Sequence, residues 1–180
     1  MSRVLVPLAA GFEELEAITV TDLLRRAGLT VVTAGLDGQI QRGSRGAMLL
    51  PDTALEAALT HEFDMLVLPG GQPGTNNLKA DERILNLVRK MAGEGRYVAA
   101  ICAAPSVLAH AGVLDGKRAT SFPGSLDAYP QVHRLSDAVV EDGRIITSRG
   151  PGTAMDFALT LVERLCGKQK RDEVEAGLQR

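Results

Sequence analysis

Short apolar runs alternate with helical segments along this chain, and this alternation limits the fold more than any other feature. The first run, Arg3–Ala9, is almost continuously apolar, which is typical of a strand buried on both faces. Further strands are predicted at Thr30–Ala34, Met65–Leu68 and Tyr97–Ile101, and helices at Glu13–Ala27, Ala54–Leu59, Glu82–Glu94, Ala103–Ala111 and Thr153–Leu165. This spacing predicts an α/β fold with a doubly wound, mostly parallel sheet sandwiched by helices.

Three further segments complete this outline. Gly35–Asp52 is rich in Gly, Ser and Arg and predicts an excursion of short strands. Val139–Glu141 and Arg144–Ser148 bracket Asp142-Gly143, which is typical of a hairpin turn. A charged tail, expected as a last helix, follows Gly167.

Composition bounds the class of protein. With 180 residues, 45% hydrophobic and 23% charged, the chain is expected to form one domain over residues 1–180. A net charge of −2 and only 3% aromatic residues argue against nucleic acid as a partner. No signal peptide or membrane span is evident, so we expect a cytoplasmic protein with no membrane partner.

In a doubly wound fold, ligands bind beyond the carboxyl ends of the strands. That rule selects the loops Ala10–Glu16, Pro69–Asn77 and Cys102–Pro105. The most informative is the last, because an apolar strand ends directly at Cys102 and small helix-forming residues follow at once. This organisation resembles a nucleophile elbow, and a helix N-terminus beside the thiol would favour the thiolate, with a pKa well below about 8.5. The alternative is a small buried apolar cysteine.

Main-chain donors are predicted around the same turn. The N–H of Ala103 is free to face an anion, and adjacent glycines at Gly70 and Gly71 allow close backbone approach. Together, the N–H groups of Gly71 and Ala103 would form a two-donor oxyanion hole. The alternative is a plain tight turn.

Glu16 is singled out by a helical wheel. It lies at the centre of a stripe otherwise formed by Phe12, Val20, Leu23, Leu24 and Ala27. Burial on this stripe would raise its pKa and make it a general acid or base. The alternative role, a first-turn helix cap, suits Glu13 and Glu14 better.

Other candidate residues carry weaker signals. His61, His110 and His133 are expected at the surface, which leaves a Cys–His pair unsupported. Two cysteines without a CxxC spacing make a disulfide scaffold or a zinc site improbable, and Cys166 is expected to be an ordinary buried thiol. Arg45 and Arg149 are the basic residues nearest the candidate loops, and each is expected to be a surface or structural arginine rather than an anion clamp. Pro151 between two glycines predicts a rigid turn.

Six stretches, in order along the chain, resemble the ThiJ/PfpI superfamily in its Parkinsonism-associated deglycase branch, close to the bacterial members. They are GFEELEA, LLRRAG, SRG, LPGGQPGTNNL, AAICAAP and TSRGPGTAMDFAL. The resemblance implies a reactive Cys102, a protonated Glu16 beside it, and the N–H groups of Gly71 and Ala103 in an anion pocket. It also implies a homodimer without cofactor or metal. The substrate-binding candidates are Arg45, Arg26 reaching in from a second subunit, Gly70, Asn76 and Pro151.

The departures from this family are informative. Protease-like relatives place His directly after the nucleophile, where this chain has Ala103, which counts against peptidase activity. Some relatives carry a His where this chain has Phe122, so Glu16 would move protons alone or with water. Gly43 and Leu50 stand where the human-like branch has extra cysteines, which argues against accessory thiol regulation.

The resemblance implies a glyoxalase or deglycase that acts on reactive dicarbonyls or on glycated protein or nucleotide, with a role in oxidative stress. The rival function is a non-enzymatic redox sensor or holdase chaperone in which Cys102 is oxidised. A flavodoxin-type flavin module is a distant third, because no aromatic residue flanks a plausible phosphate loop.

Overall fold

A seven-stranded, mostly parallel sheet forms the middle layer of the molecule, and the computed structural model describes all residues, 1–180. The strands are β1 (Arg3–Leu8), β2 (Thr30–Gly35), β3 (Gln41–Arg42), β4 (Met48–Leu49), β5 (Thr53–Ala54), β6 (Met65–Leu68), β7 (Tyr97–Ile101), β8 (Arg118–Ala119), β9 (His133–Arg134), β10 (Val139–Asp142) and β11 (Ile145–Ser148). The main sheet has the order β10-β11-β7-β6-β1-β2-β5, and only the β10–β11 pair is antiparallel. The remaining strands form two small two-stranded sheets, β3–β4 and β8–β9.

Helices cover both faces of this sheet. They are α1 (Glu14–Arg26), α2 (Leu55–Ala58), α3 (Gly74–Ala80), α4 (Glu82–Gly93), α5 (Pro105–His110), α6 (Ala154–Cys166) and α7 (Lys168–Leu178). One apolar cluster joins the sheet to α1, α6 and α7, and a second joins its other face to α2, α3, α4 and α5. Phe12 and Phe157 are almost fully buried in the first cluster. Burying each such side chain stabilises the fold by roughly 1.5–3 kcal/mol.

The sandwich architecture predicted from the sequence is therefore confirmed, with small differences at element ends. The larger difference is α3, which lies partly within the predicted loop Pro69–Asn77. Its first residue is Gly74, and a side chain there would approach the backbone of Gly11 and Phe12 to within 2.8 Å. Close packing, with Leu78 buried on the sheet, stabilises a helix that the local Pro and Gly signals do not predict.

A second difference concerns the helix after β7. It begins at Pro105 and has six residues, whereas the sequence predicts a start at Ala103. Residues 102–104 form a turn, closed by a hydrogen bond from the N–H of Ala104 to the carbonyl of Ile101 at 3.0 Å.

Strands β7, β6 and β1 are neighbours and run parallel. The segments that follow their carboxyl ends therefore meet at one edge of the sheet. They begin at Cys102, Pro69 and Ala9. None of the helices is both long enough and apolar enough to cross a membrane.

Candidate functional site

Cys102 occupies a strained turn at the end of β7. Its φ of +64° lies in the left-handed region, which costs a residue with a side chain about 1–2 kcal/mol. Its N–H donates to the carbonyl of Ser148 at 3.0 Å, and its own carbonyl accepts from the N–H of Phe122 at 2.7 Å. Bonds on both sides of the residue therefore hold the strained conformation and fix the position of the thiol.

Gly70 allows the thiol and the carboxyl group of Glu16 to meet. A Cβ atom on Gly70 would lie 2.7 Å from the Cβ of Cys102 and 2.9 Å from Oε2 of Glu16, so no side chain fits there. The N–H of Gly70 donates to that same Oε2 at 2.7 Å. Because Gly70 has no side chain, its backbone packs directly against Cys102 and Glu16.

Glu16 is fully buried, as the helical wheel predicts, although the rest of its stripe is apolar. Burial raises the pKa of Glu16 to about 7, although the N–H of Gly70 and the Cys102 thiol lower it; the charge on Glu13 raises it slightly further. Its other oxygen, Oε1, is buried and accepts no hydrogen bond from a main-chain or side-chain N–H or O–H group. Glu16 is therefore a carboxyl group that exchanges its proton near neutral pH.

The thiol itself differs from the expectation drawn from the sequence. Burial raises the pKa of Cys102 to about 12, and the Glu16 carboxylate raises it in addition, while the N–H groups of Ala103 and Gly71 lower it. The prediction of a pKa well below 8.5 is therefore wrong. Helix α5 begins three residues beyond the sulfur and is too short to offset burial next to an acid.

The Glu16 carboxyl group and the Cys102 thiol titrate as a coupled pair. Each negative charge disfavours the other, so their protons leave in two separate steps. After the first step, near pH 7, the pair shares one proton, which lies mainly on the sulfur because the thiol has the higher pKa. The form with the proton on Glu16 carries a thiolate that two main-chain donors face.

Those donors are held in place by the loops around them. Gly71 has a φ of +90°, and a Cβ there would lie 2.4 Å from the nitrogen of Glu13, so only glycine fits. The N–H of Glu13 donates to the carbonyl of Gly70 at 2.9 Å, which ties the loop after β6 to the start of α1. The N–H groups of Gly71 and Ala103 therefore face Cys102 from two different loops.

A cavity of about 350 Å³ opens in front of the thiol. It is lined by Glu13, Ser44, Arg45, Gly71, Gln72, Cys102, Ala103, Phe122, Ser125 and Pro151. Arg45 and Pro151, both predicted substrate-binding residues, thus lie at the cavity. Gly70, also predicted to bind substrate, does not line it and instead packs against Cys102 and Glu16. The sequence reasoning missed Ser44 and Gln72, which adjoin predicted residues, and Ser125, for which the local pattern offers no signal.

The segment with Arg45 is fastened to the first turn of α1 by Glu14. Oε1 of Glu14 accepts from the N–H groups of Arg45 at 2.7 Å and Ala47 at 3.1 Å, and Oε2 accepts from the hydroxyl of Ser44 at 3.2 Å. These bonds lower the pKa of Glu14 against the opposing effect of desolvation. Glu14 therefore links the helix that carries Glu16 to the cavity wall that carries Arg45.

Two predicted site residues lie elsewhere in the chain. Asn76 is exposed on α3 and does not line the cavity, whereas its neighbour Asn77 donates to the carbonyl of Ala10 at 2.9 Å. Arg26 lies at the far end of α1, where its Nε donates to Asp22 at 2.7 Å. Within one chain, therefore, neither residue contributes to the cavity at Cys102. All three histidines are exposed, as expected.

The prediction for the second cysteine, Cys166, is wrong. Cys166 is exposed at the end of α6, whereas the sequence predicts a buried thiol. It is the last residue of the helix, four residues after the buried Val162, and the core that covers the earlier turns does not extend to it. Partial burial still raises the pKa of Cys166, and the nearby Lys170 lowers it.

Comparison with known proteins agrees with this geometry. The family model described as the DJ-1/PfpI family matches residues 2–164. The chain is 46% identical to Protein dj-1beta of Drosophila melanogaster over 177 residues, which are 97% of this chain and 95% of the fly protein. It is 37% identical to the glutathione-independent glyoxalase DJR-1.2 of Caenorhabditis elegans over 164 residues, 90% of this chain and 87% of the worm protein.

Solved structures show the same likeness. The crystal structure of Drosophila melanogaster DJ-1beta superposes with a TM-score of 0.95 and covers 99% of this chain and 98% of that one. A structure described as Toxoplasma gondii DJ-1, oxidized, also gives a TM-score of 0.95 at 36% identity, with the same coverage of both chains. The family model, the identities and the shared fold lead to one conclusion: this chain is a member of the DJ-1/PfpI family.

Proposed function

We propose that this protein is a cytoplasmic, cofactor-independent enzyme that converts reactive dicarbonyls such as methylglyoxal to hydroxy acids such as lactate. The observation that carries the proposal is a buried carboxyl group, Glu16, with a pKa of about 7 in contact with a thiol at the floor of a cavity. A relative named as a glutathione-independent glyoxalase supports the reaction class.

The first step is attack on the aldehyde. The reactive form of the singly ionised pair is the minor one, in which the sulfur of Cys102 carries the charge and Glu16 the proton. The sulfur forms a bond to the aldehyde carbon, and the carbonyl electron pair moves to the oxygen. That oxygen would face the N–H groups of Gly71 and Ala103, which stabilise the negative charge as it develops. Glu16 then gives its proton to the oxygen and becomes a carboxylate.

The second step moves a proton between carbons. The Glu16 carboxylate removes the proton from the carbon bonded to sulfur, and the electron pair forms an enediolate. The hydroxyl proton on the sulfur-bearing carbon moves to the oxygen of the neighbouring carbon, and Glu16 returns its proton to that neighbouring carbon. A hydroxyacyl thioester remains on Cys102. Water hydrolyses the thioester, so the hydroxy acid leaves and the thiol is restored. A carboxyl group with a pKa near the working pH suits both directions of transfer.

The same thiol would displace the amine from early glycation adducts on proteins or nucleotides, which are the products of dicarbonyls with amines. The sulfur forms a bond to the carbon that carries the amine, the carbon–nitrogen bond breaks, and the amine leaves with the proton from Glu16. Arg45 and Pro151 form part of the cavity wall that such an adduct would meet. This deglycase reaction ends in the same thioester.

Turnover of methylglyoxal by purified protein tests the proposal, in buffer free of Tris and of added thiols. We expect lactate from the wild type and none above background from Cys102→Ala. Cys166→Ala is the matched control, because it removes the other thiol, which is exposed and outside the cavity. Equal lactate formation by wild type and Cys102→Ala would contradict the enzyme proposal.

The second candidate function is a redox sensor or holdase. The site supports this function because a sulfinate on Cys102 would accept hydrogen bonds from protonated Glu16 and from the N–H groups of Gly71 and Ala103. A relative has been described in an oxidized form. In this case Glu16→Gln would alter the oxidation product of Cys102 and leave any weak turnover intact, whereas the enzyme proposal requires turnover to fall.

We also propose that the protein is a homodimer. Leu15 and Ile18 on α1 are 52% and 48% exposed, on the side of the helix away from the core. An apolar helix face of this kind is covered when two copies pack through α1, and Arg26 would then approach the partner. Light scattering at micromolar concentration should give about twice 19.1 kDa. A monomer at that concentration would contradict the proposal.

A further inference from the structure

We propose that a second subsite adjoins the cavity at Cys102 and binds the far end of an elongated aldehyde: a flat apolar body that ends in a carboxylate. The inference rests on the proposed function only for the reactive end of the ligand. The subsite itself is argued from the cavity walls, an exposed aromatic ring and an arginine without an acidic partner.

The subsite is a second cavity of about 320 Å³. It is lined by Phe122, Pro123, Arg149, Gly150, Pro151, Gly152 and Thr153. Phe122 and Pro151 also line the cavity in front of Cys102, so these two side chains form a shared wall. A ligand longer than a three-carbon dicarbonyl can therefore extend from the thiol across Phe122 and Pro151 into the second cavity.

Phe122 provides the apolar contact. Its main chain is fixed, because its N–H donates to the carbonyl of Cys102 at 2.7 Å. Its ring is nevertheless 49% exposed, and a Cβ on Gly150 would lie at an ordinary 3.6 Å from Cδ2 of the ring. One edge of the ring thus rests on Gly150 while much of its surface remains open. An aromatic ring held in this way favours a flat apolar group stacked against it.

Arg149 provides the charge. It follows Ser148, whose carbonyl accepts the N–H of Cys102 at 3.0 Å, so its backbone lies beside the thiol turn. Its guanidinium donates to the carbonyl of Ser136 at 2.7 Å, and no carboxylate lies within 4.0 Å of it. The positive charge is therefore oriented by a neutral group and is free to attract an anion.

The other charges around the two cavities agree with this polarity. Arg45 lines the first cavity, and its guanidinium also lacks a carboxylate within 4.0 Å. Glu13 is the single acidic residue among the lining residues, and it borders the first cavity alone. A carboxylate on the ligand is thus favoured at the Arg149 end.

The test is alkylation of Cys102 by two reagents, N-phenyl iodoacetamide and its para-carboxylate analogue. In each case the sulfur forms a bond to the CH₂ carbon and iodide leaves, so the reaction needs no turnover. Mass spectrometry gives the rate at Cys102, and each rate is divided by that of glutathione with the same reagent. We expect the carboxylate reagent to be favoured about fivefold in the wild type, the scale of a solvent-exposed ion pair.

Arg149→Gln should bring this preference close to one, and Arg149→Lys should keep most of it, which also guards against a folding defect in the first variant. Arg144→Gln is the matched control, because Arg144 is an exposed arginine stacked over Tyr97 at 5.0 Å, at the opposite end of β11. An equal preference in wild type and Arg149→Gln, or an equal loss in both glutamine variants, would overturn the subsite.

Phe122→Leu tests the apolar part. Both aryl reagents should lose about threefold in rate at Cys102 relative to iodoacetamide, the scale of a stacking contact. Unchanged relative rates would overturn the role of the ring. Failure of the protein to turn over methylglyoxal would overturn the proposed function and leave these alkylation results as they stand.

Discussion

Two cysteines in this chain lie in opposite kinds of surroundings. Cys102 is buried at the carboxyl end of the sheet, in a left-handed conformation, beside an acid and two main-chain N–H groups. Cys166 is exposed at the end of α6, in helical backbone, with Lys170 as the nearby charge. The exposed thiol is the easier one to reach, yet it has no cavity, no oxyanion donors and no proton carrier.

In the proposed reaction, the comparison implies, Cys102 depends on proton exchange with Glu16 more than on a low thiol pKa. Burial and a neighbouring carboxylate make Cys102 harder to ionise than an ordinary cysteine. The same burial moves Glu16 into the neutral range, where a carboxyl group both takes and gives protons. The structure thus allows Cys102 and Glu16 to exchange one proton, whereas no carboxyl group affects the titration of Cys166.

The largest expected effect is on stability. The pKa of Glu16 is raised from 4.5 to about 7 in the folded protein, so the unfolded chain loses this proton more easily. Its contribution is fully present below pH 4.5 and is lost as the pH rises to about 7. Between these limits, the free energy of unfolding of the wild type should fall relative to that of Glu16→Gln by about 3 kcal/mol. Urea denaturation of both proteins at pH 4.5 and pH 8 measures this difference.

Cys166→Ala should show the wild-type dependence on pH in the same experiment. If the difference between wild type and Glu16→Gln does not change with pH, Glu16 does not titrate with a raised pKa in the folded protein.

The next effect is on catalysis. Glu16→Gln keeps the shape of the side chain but removes proton exchange, so methylglyoxal turnover should fall by about 10²-fold. Glu16→Asp, which retracts the carboxyl group by one methylene, should have a turnover between those of the wild type and Glu16→Gln. The rate of lactate formation by the three proteins measures this order. Full activity in Glu16→Gln would favour the redox sensor over the enzyme.

A smaller effect separates the two thiols by their titration. Alkylation of Cys102 should rise in two steps, near pH 7 and near pH 12, because its proton is shared with Glu16. Alkylation of Cys166 should rise in one. In Glu16→Gln the first step at Cys102 should vanish and the remaining pKa of Cys102 should move down, since the carboxylate charge is gone. A single step in the wild type, or an upward shift in the variant, contradicts the shared proton.

The smallest effect concerns Glu14, which positions the Arg45 segment without lining the cavity. Glu14→Ala removes the acceptor of three hydrogen bonds, so KM for methylglyoxal should rise about threefold with little change in kcat. Glu14→Gln, which retains one acceptor oxygen, should restore most of the affinity. A fall in kcat with unchanged KM would instead indicate damage to the Cys102 turn.

The sequence predicts the architecture well because the strands of the sheet centre are short apolar runs with clear ends. Tyr97–Ile101 and Met65–Leu68 match β7 and β6 to the residue. Helix α3 is not predicted from the sequence because its stability comes from contacts with the segment at Gly11, which is distant in sequence. Local signals at Pro73 and Gly74 indicate only a turn.

Within the site, the periodicity of α1 predicts the burial of Glu16, since a single carboxyl group interrupts an apolar stripe. The direction of the Cys102 pKa could not be obtained in the same way. It depends on how burial, the neighbouring carboxylate and main-chain donors balance, and these quantities follow from three-dimensional packing. At Phe122 the sequence indicates only that a His of some relatives is absent, whereas the exposure of the Phe122 ring depends on the cavities on either side of it.

The main-chain origin of the donors at Cys102 has a consequence for how this protein can change over evolution. A side-chain donor is gained or lost by a single codon, whereas the N–H groups of Gly71 and Ala103 persist under almost every replacement. Gly71 is further restricted by its φ of +90°, and Gly70 by the absence of room for a Cβ. Mutation can therefore alter what enters the cavity, through Arg45, Phe122 and their neighbours, far more readily than the anion pocket. New substrate preferences should therefore arise through changes at residues such as Arg45 and Phe122, while the main-chain anion pocket at Gly71 and Ala103 stays nearly unchanged.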